Sequence, residues 1–420
     1  MKKYESNSDR KDANGSIFRI IACFFIVNYF VWPGLYKDFF YLVSIFCIIG
    51  FFFGFKIDLR FSRLFSISLL VFILPDIINM TRGYSSVSDI EKISRNVLLV
   101  LPVGAILYYR NISNDLLTKA IVLMFFYTLF FLFLQEGGIF ASQSEHYDGE
   151  YPGLWYNKGT FSTAVVFFYS LLAGMFFVPL RKTPFGWLLS GFVAVSVILV
   201  MTEARGPILA FTIINIIMVF IHYRYNLKSL SNFKMLSFFA LVILLVIYFL
   251  LWDRITLAYI EASNYLVAGD ISFDNSIAVR IESWRLAWDV FLRNPIFGYG
   301  VKEALEVKKE ILASGNYPDY MLSFHTHSEY FYMLERGGIF GLICLFLFVL
   351  FPFYILRYYG VSLVEAAPTF FVTVSFLVIG LTSATLRNNL GANSYLLCLA
   401  LSIAYSIISA NGKMKNEIAS

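Results

Sequence analysis

Charged residues are scarce in this chain of 420 residues: Asp, Glu, Lys and Arg make up 15% of it, whereas 59% is hydrophobic. Soluble domains carry about 25% charged residues, so the composition excludes an ordinary soluble protein of this length. The net charge of +5 is small. Because the basic residues lie in short stretches between apolar runs, we interpret them as membrane-topology signals and expect no nucleic-acid partner.

Cysteine and histidine are also rare, with four of each. The cysteines all fall in apolar runs, at Cys23, Cys47, Cys344 and Cys398. Their spacing contains no pairs, so we predict neither a disulfide framework nor a metal site. We find no Walker loop and no dinucleotide-binding fingerprint. On the predicted outer face we find no carboxylate pair spaced like the acidic motif of a metal-dependent glycosyltransferase. These absences indicate a reaction that uses an already activated substrate, with no cofactor and no metal.

Apolar runs long enough to cross a bilayer, about 20 residues each, recur along the chain. The fold class that we predict is all-α, a polytopic integral membrane protein with about twelve transmembrane helices. The predicted spans are 17–33, 37–55, 63–80, 95–109, 116–134, 160–179, 186–202, 207–222, 234–252, 338–356, 366–385 and 392–410. The polar segment 1–15 lacks the cleavage site of a signal peptide, so we expect the first span to be retained.

Lysine and arginine are concentrated in alternate loops, from the N-terminal segment to the C-terminal tail. The positive-inside rule makes these loops and both termini cytoplasmic. The longest connection then lies on the outer face, where long loops are usually functional. We therefore predict an N-terminal transmembrane bundle of about nine helices over 1–252, an outer loop with amphipathic helices over 253–337, and C-terminal transmembrane helices with a cytoplasmic tail over 338–420.

The outer loop contains a helical pattern over residues 279–291. One stripe of this helix holds Trp284, Ala287, Trp288 and Phe291. A helix with two tryptophans beside a membrane is expected to lie along the interface. Arg280 precedes Trp284 by one turn on the same face, and Asn294-Pro295 ends the helix.

Two of the four histidines, His325 and His327, lie near the end of this loop. In an extended segment they share one side, whereas in a helix they do not. A neutral imidazole is a suitable general base, and two histidines alone are weak evidence for zinc. The alternative is that they hydrogen-bond backbone groups at the interface. We interpret Glu335 as a structural residue that holds an arginine.

Arg205 and Arg280 both fall on the predicted outer side, and a guanidinium forks onto phosphate oxygens. Each also has a structural alternative: Arg205 pairs with Glu203 or reaches lipid phosphate, and Arg280 pairs with Glu282 or Asp274. Together the two arginines favour an anionic substrate. Weaker candidates for the same pocket, or ordinary interfacial bases, are Arg82, Lys158 and Arg387.

These residues resemble the O-antigen ligase and polymerase superfamily of bacterial envelopes. The most specific likeness is His327-Ser328, followed after nine residues by Gly338 and then Gly341. The segment 280–300 and the turn 202–206 are similar to further family segments, although Ala204 stands where a hydroxyl residue is common. The set is less specific for ligase over polymerase.

The resemblance implies a C-type glycosyltransferase-like enzyme of lipopolysaccharide biosynthesis, in the bacterial inner membrane, with its site in the periplasm. The donor would be undecaprenyl diphosphate carrying O-antigen, and the acceptor a sugar hydroxyl of lipid A–core. The reaction would be metal-independent and inverting, with His327 as the catalytic base and Arg205 and Arg280 on the diphosphate.

Three alternatives stay open at this point. A polymerase would use a second lipid-linked chain as acceptor, and a protein O-oligosaccharyltransferase would use a protein. A lipid-linked sugar transporter or flippase would form no bond. Transporters tend to have paired broken helices and inverted repeats, whereas the unusual polar residues here cluster at one face, which favours an interfacial enzyme.

Overall fold

The computed structural model of this chain describes residues 26–30, 58–86, 114–136, 157–178, 185–226, 238, 241–242, 245, 249, 252–269, 271–272, 274–387 and 389–419. Of this part 83% is helical and none is strand, as the composition predicts. The helices are α1 (Leu59–Thr81), α2 (Asn114–Glu136), α3 (Lys158–Phe176), α4 (Phe185–Thr202), α5 (Arg205–Asn226), α6 (Trp252–Ala268), α7 (Ser276–Arg293), α8 (Gly300–Ala313), α9 (Glu329–Tyr358), α10 (Ala367–Ile379) and α11 (Asn389–Ala419). Two 3-10 turns cover Asp319–Ser323 and Thr385–Arg387.

Six of these helices, α1, α2, α3, α4, α9 and α11, contain stretches long and apolar enough to cross a membrane. The apolar stretches of α5 and α10 are shorter, Arg205–Ile221 and Ala367–Ile379. A helix satisfies its own backbone hydrogen bonds, which lipid cannot do, so the chain is a multi-pass membrane protein, as predicted. The predicted spans 37–55 and 95–109 lie outside the described residues, and most of 17–33 and 234–252 does too.

Helix α3 lies at the centre of one helix group, packed against α4, α5, α10 and α11. Its approach to α10 is close: a Cβ on Gly174 would lie 2.3 Å from the Cα of Pro368. Small residues permit such close contact between helices in lipid. A buried hydroxyl adds specificity, since Tyr169 donates a hydrogen bond to the Asn215 side chain at 2.6 Å.

Helix α1 packs along α9. The rings of Phe72 and Phe348 lie 5.0 Å apart between them. Arg336 of α9 forms a buried ion pair with Asp76 of α1. Two charges buried in an apolar setting persist only when each neutralises the other, so this pair joins the two helices at this level.

Helix α9 is interrupted at Gly338, whose φ of 61° and ψ of −157° are not helical. The turn that follows α7 packs into this break. The amide of Ile339 donates to the carbonyl of Pro295 at 2.8 Å, and that of Phe340 donates to Ile296 at 3.1 Å. Backbone donors freed by the break are thereby satisfied. The short first part of α9 and its long apolar second part meet at the residue where the predicted span begins.

Helices α7 and α8 and the first 3-10 turn share a small apolar core of their own. The predicted stripe of α7 does not face one environment. Ala287 is fully buried, and Trp284 stacks on Phe331 of α9 with ring centroids 5.7 Å apart. Trp288 is 45% exposed. The Trp284 ring therefore packs against the protein, while the expectation that α7 lies along the membrane interface stays a prediction.

Candidate functional site

The two histidines lie on the histidine loop, residues 324–328, which connects the first 3-10 turn to α9. Phe324 and Ser328 at its ends are extended. His327 has a φ of 48°, in the left-handed region that costs a non-glycine residue about 1–3 kcal/mol. The extended conformation considered for this segment therefore fails at His327. Its side chain is half-buried, whereas that of His325 is exposed.

Thr326, between the two histidines, connects the histidine loop to α9. The Thr326 hydroxyl donates to Oε1 of Glu335 at 3.0 Å, and Oε2 of Glu335 pairs with Lys308 of α8 at 2.6 Å. Glu335 is a structural residue in this arrangement, but its cationic partner is a lysine and not the arginine we expected. The buried pair links the loop, α8 and α9.

The end of the histidine loop at Ser328 is hydrogen-bonded to the segment 380–387. The Ser328 hydroxyl donates to the carbonyl of Gly380 at 3.2 Å, and the amide of Glu329 donates to the same carbonyl at 2.8 Å. The amide of Leu386 donates to the Glu329 carboxylate at 2.9 Å. Arg387 follows directly, is exposed, and has a charge that acts on both histidines.

Arg205 opens helix α5 and is held by a carboxylate that the sequence does not point to. Its two terminal nitrogens lie 3.0 and 3.2 Å from the oxygens of Glu261, and it also donates to the Ser276 hydroxyl at 2.9 Å. The partner is therefore Glu261 and not Glu203. A Cβ on the next residue, Gly206, would lie 2.1 Å from the hydroxyl of Thr382. The Arg205 turn thus contacts the same segment, 380–387, that supports the histidine loop.

Arg280 lies in the second turn of α7 and is half-buried. Neither predicted partner pairs with it: Glu282 binds Arg285 at 2.8 Å instead, and within the part of the chain that the structure describes no carboxylate forms an ion pair with Arg280. Burial lowers the pKa of Arg280 and the charge of Arg205 lowers it further, while Glu261 opposes this. A guanidinium nevertheless stays charged at neutral pH, so the site contains an unneutralised cation.

The positive charge of Arg280 is one cause of a lowered pKa in the histidine loop. Burial and then the charges of Arg280, His325 and Arg387 lower the pKa of His327 to about 4. The pKa of His325 is also lowered to about 4, by desolvation of its partly enclosed ring and then by Arg387 and Lys308. Both imidazoles are therefore neutral at pH 7, and each keeps a nitrogen lone pair that can accept a proton.

Arg82, a weaker candidate, belongs to the end of α1. It donates to the Asn79 side chain at 2.9 Å and to the carbonyl of Gly298 at 3.1 Å. Its guanidinium also lies 4.5 Å from the centroid of the Tyr84 ring. These contacts brace the turn that enters the break in α9, and they assign Arg82 a structural environment.

Lys158, another weaker candidate, is the first residue of α3. The Ser162 hydroxyl lies 2.5 Å from the carbonyl of Lys158 and 2.7 Å from the hydroxyl of Thr202 at the end of α4. This contact brings the start of α3 to the turn that precedes Arg205. Lys158 therefore begins its helix at the same end of the bundle as the arginine.

Several residues of this arrangement escape sequence reasoning. Asn275 and Ser276 are of the types that cap helices, so the start of α7 could be predicted from them. Glu261 and Lys308 are ordinary charges on amphipathic helices, and no local signal distinguishes them. Among the residues with described positions, no group of three or more His, Cys, Asp or Glu side chains is placed to hold a metal ion.

Comparison with known proteins gives one family. Residues 190–346 match the family described as O-Antigen ligase. The matched segment contains Arg205, Arg280, both histidines and Glu335, and it ends a few residues after the break in α9. No curated protein matches the chain.

Proposed function

We propose, from the premise that this chain belongs to the O-antigen ligase superfamily, that it transfers O-antigen polysaccharide from undecaprenyl diphosphate to a sugar hydroxyl of lipid A–core. It does so in the bacterial inner membrane, among membrane lipids. Both termini are cytoplasmic and the site faces the periplasm, in accord with the basic residues of alternate loops. The regions 1–252, 253–337 and 338–420 then act as membrane bundle, periplasmic loop and C-terminal helices.

Arg280 is the principal cation for the donor diphosphate. It is half-buried and, within the described part of the chain, lacks a carboxylate partner, so its attraction for a phosphate oxygen is little screened by water. Arg205 lies near enough for its charge to act on Arg280. Two guanidinium groups on one diphosphate stabilise the negative charge that grows on it as the sugar leaves.

His327 is the base for the acceptor. Its neutral imidazole takes the proton of the acceptor hydroxyl while that oxygen bonds to the anomeric carbon of the donor sugar. The bond from that carbon to the diphosphate breaks, and its electron pair leaves with undecaprenyl diphosphate. Attack from the face opposite the leaving group inverts the anomeric centre. The imidazolium then returns its proton to water.

The observation that carries the proposal is the contact between α7 and the histidine loop: the Ser283 hydroxyl of α7 donates to the carbonyl of Thr326 at 3.4 Å. Arg280 of the same helix is near enough for its charge to lower the pKa of His327, after burial. This contact joins a cation suited to the leaving group with a neutral base suited to the nucleophile. The same proximity predicts that binding of the donor changes the pKa of His327. A bound diphosphate neutralises the positive charges that depress the pKa of His327, so the imidazole becomes a stronger base when the donor is present.

The acceptor decides between the members of the superfamily. The purified chain is reconstituted in liposomes with labelled undecaprenyl diphosphate-linked O-antigen, and then receives lipid A–core or a second lipid-linked chain. We expect the label to move to lipid A–core. Label that moves only to the lipid-linked chain identifies a polymerase. Label that enters the vesicle lumen without forming a bond identifies a transporter.

A further inference from the structure

We infer that Glu261 is the positioning residue of the donor site: its carboxylate joins Arg205 to the first turn of α7, so that Arg205 and Arg280 address the same diphosphate. Glu261 belongs to α6, and Arg205 precedes it by 56 residues in the chain. The inference rests on the proposed function, because it names the residue that holds that function's anion-binding arginines in place.

The first step is the ion pair between Glu261 and Arg205. The two side chains form a two-pronged pair at 3.0 and 3.2 Å, and they are only 12% and 20% exposed. A pair with two parallel hydrogen bonds defines the plane of the guanidinium as well as its position. Ser276 donates to the same carboxylate at 2.8 Å, which leaves Glu261 well satisfied although it is largely buried.

The second step is the hydrogen bonding between Glu261 and the start of α7. Asn275 caps this helix, because its side-chain oxygen accepts the amide of Ala278 at 3.0 Å. The amide nitrogen of the same side chain donates to the backbone carbonyl of Glu261 at 2.9 Å. Ser276, which binds the carboxylate, precedes Arg280 by four residues and therefore lies on its face of the helix. The orientation of Arg280 thus depends on the position of Glu261.

The third step is charge. Arg205 and Arg280 are close enough to repel each other, and Glu261 offsets that repulsion. Burial raises the pKa of Glu261, but hydrogen bonds from Arg205 and Ser276 lower it more, so the net shift is downward. The carboxylate is therefore ionised at neutral pH and stabilises two neighbouring cations in one small volume.

The fourth step is the number of N–H donors that the two arginines still have for a phosphate oxygen. A guanidinium has five N–H donors, and the three bonds from Arg205 to Glu261 and Ser276 leave two. Arg205 can therefore donate to a phosphate oxygen while Glu261 holds it. Within the described part of the chain, no hydrogen bond or ion pair is made by the Arg280 guanidinium. Glu261 therefore holds Arg205 in place, while Arg280 keeps its donors for the diphosphate.

The test is the variant Glu261→Gln, which keeps the size and one acceptor oxygen for Ser276 but loses the charge. In liposomes we expect the KM for the lipid-linked donor to rise about tenfold, while the KM for lipid A–core stays unchanged. Binding of undecaprenyl diphosphate alone should weaken by a similar factor. The matched control is Glu310→Gln, which breaks the exposed pair between Glu310 of α8 and Arg293 of α7 and should leave both KM values at the wild-type level.

Unchanged or tighter diphosphate binding by Glu261→Gln would overturn the inference, since tighter binding means that Glu261 competes with the donor for Arg205. A rise in both KM values would indicate a general structural role instead. Where Glu261→Gln yields too little folded protein, Ser276→Ala decides, with an expected threefold loss of diphosphate binding. If the wild-type chain transfers nothing to lipid A–core, the proposed function fails, and diphosphate binding still tests Glu261 separately.

Discussion

Thr326 stands between the two histidines, and its hydroxyl donates to Glu335 at 3.0 Å. Glu335 in turn lies three residues before the break in α9 and pairs with Lys308. His327, directly after Thr326, has a strained backbone with a φ of 48°. Such strain persists only where the surroundings hold the residue in place. The Thr326–Glu335 bond on one side of His327 and the Ser328–Gly380 bond on the other do so.

Thr326→Val should therefore reduce transfer about tenfold without preventing insertion. Valine has nearly the same shape but leaves Glu335 without this donor, so His327 can relax away from its strained position. Thr326→Ser keeps the hydroxyl and should keep most of the activity. The measurement is kcat for transfer to lipid A–core in liposomes. Equal activities for the two variants would show that the hydroxyl is not what positions the loop.

His327→Ala should abolish measurable transfer, because general-base catalysis contributes about 10²–10⁴-fold. The protein should still insert, since His327 is half-buried on a loop and contributes no ion pair in the described structure. The readout is the lipopolysaccharide ladder on a gel, together with the amount of protein in the membrane. A ladder of normal intensity from the variant would contradict the assignment of His327 as base.

Arg280→Lys should lower kcat/KM for the donor at least tenfold although the charge is kept. A lysine is a point charge on a flexible stem and cannot fork onto two phosphate oxygens. The control is Arg293→Lys at the end of the same helix, where the arginine is 45% exposed and pairs with Glu310. Undiminished turnover by Arg280→Lys in reconstituted enzyme would mean that charge alone suffices.

The pH dependence follows from the pKa of His327, which is about 4 in the free protein. The base acts in its neutral form, so kcat/KM for the donor should stay level as pH falls from 7 and decline only toward pH 4. The facing charges, Arg280, His325 and Arg387, are partly neutralised by bound diphosphate, so kcat should decline at a higher pH than kcat/KM. Coincident acid limbs near pH 6.5 would refute this account.

The same shift bears on stability. Between pH 6.5 and pH 4 the unfolded chain binds a proton at position 327 that the folded chain does not. Stability therefore falls as pH falls through that window, and is unaffected by this group above it. Unfolding must be followed at each pH so that lost activity is not mistaken for titration of the base.

Gly338→Ala should lower the unfolding temperature strongly. A Cβ there would lie 2.5 Å from the carbonyl of Ile296, and the backbone has a conformation that only glycine readily adopts. Gly360→Ala is the matched control, because Gly360 also has a positive φ but nothing within 4 Å of a Cβ. We expect about 1–2 kcal/mol for that variant, and a larger loss for Gly338→Ala, measured by thermal unfolding in detergent.

The features of this protein that the sequence predicts are those that depend only on neighbouring residues in the chain. Eight predicted spans coincide with helices of the described structure, because hydropathy over about 20 residues depends only on neighbours in the chain. The arginines and histidines stand out for the same reason: a charge or an imidazole beside an apolar run is conspicuous by itself. The residues that carry the resemblance, Arg205, Arg280 and His327 among them, lie in the segment 190–346 that matches the family.

The partners of those residues depend on the tertiary structure. Arg205 has an acidic neighbour two residues away, Glu203, yet it pairs with Glu261 on another helix. Glu335 holds a lysine of α8, and the break at Gly338 is shaped by the turn after α7. The sequence by itself determined which segments are apolar enough to cross a membrane, and which charged and imidazole side chains are available beside them. The packing of distant helices decided which of those side chains meet, because a contact between remote residues leaves no trace in local spacing.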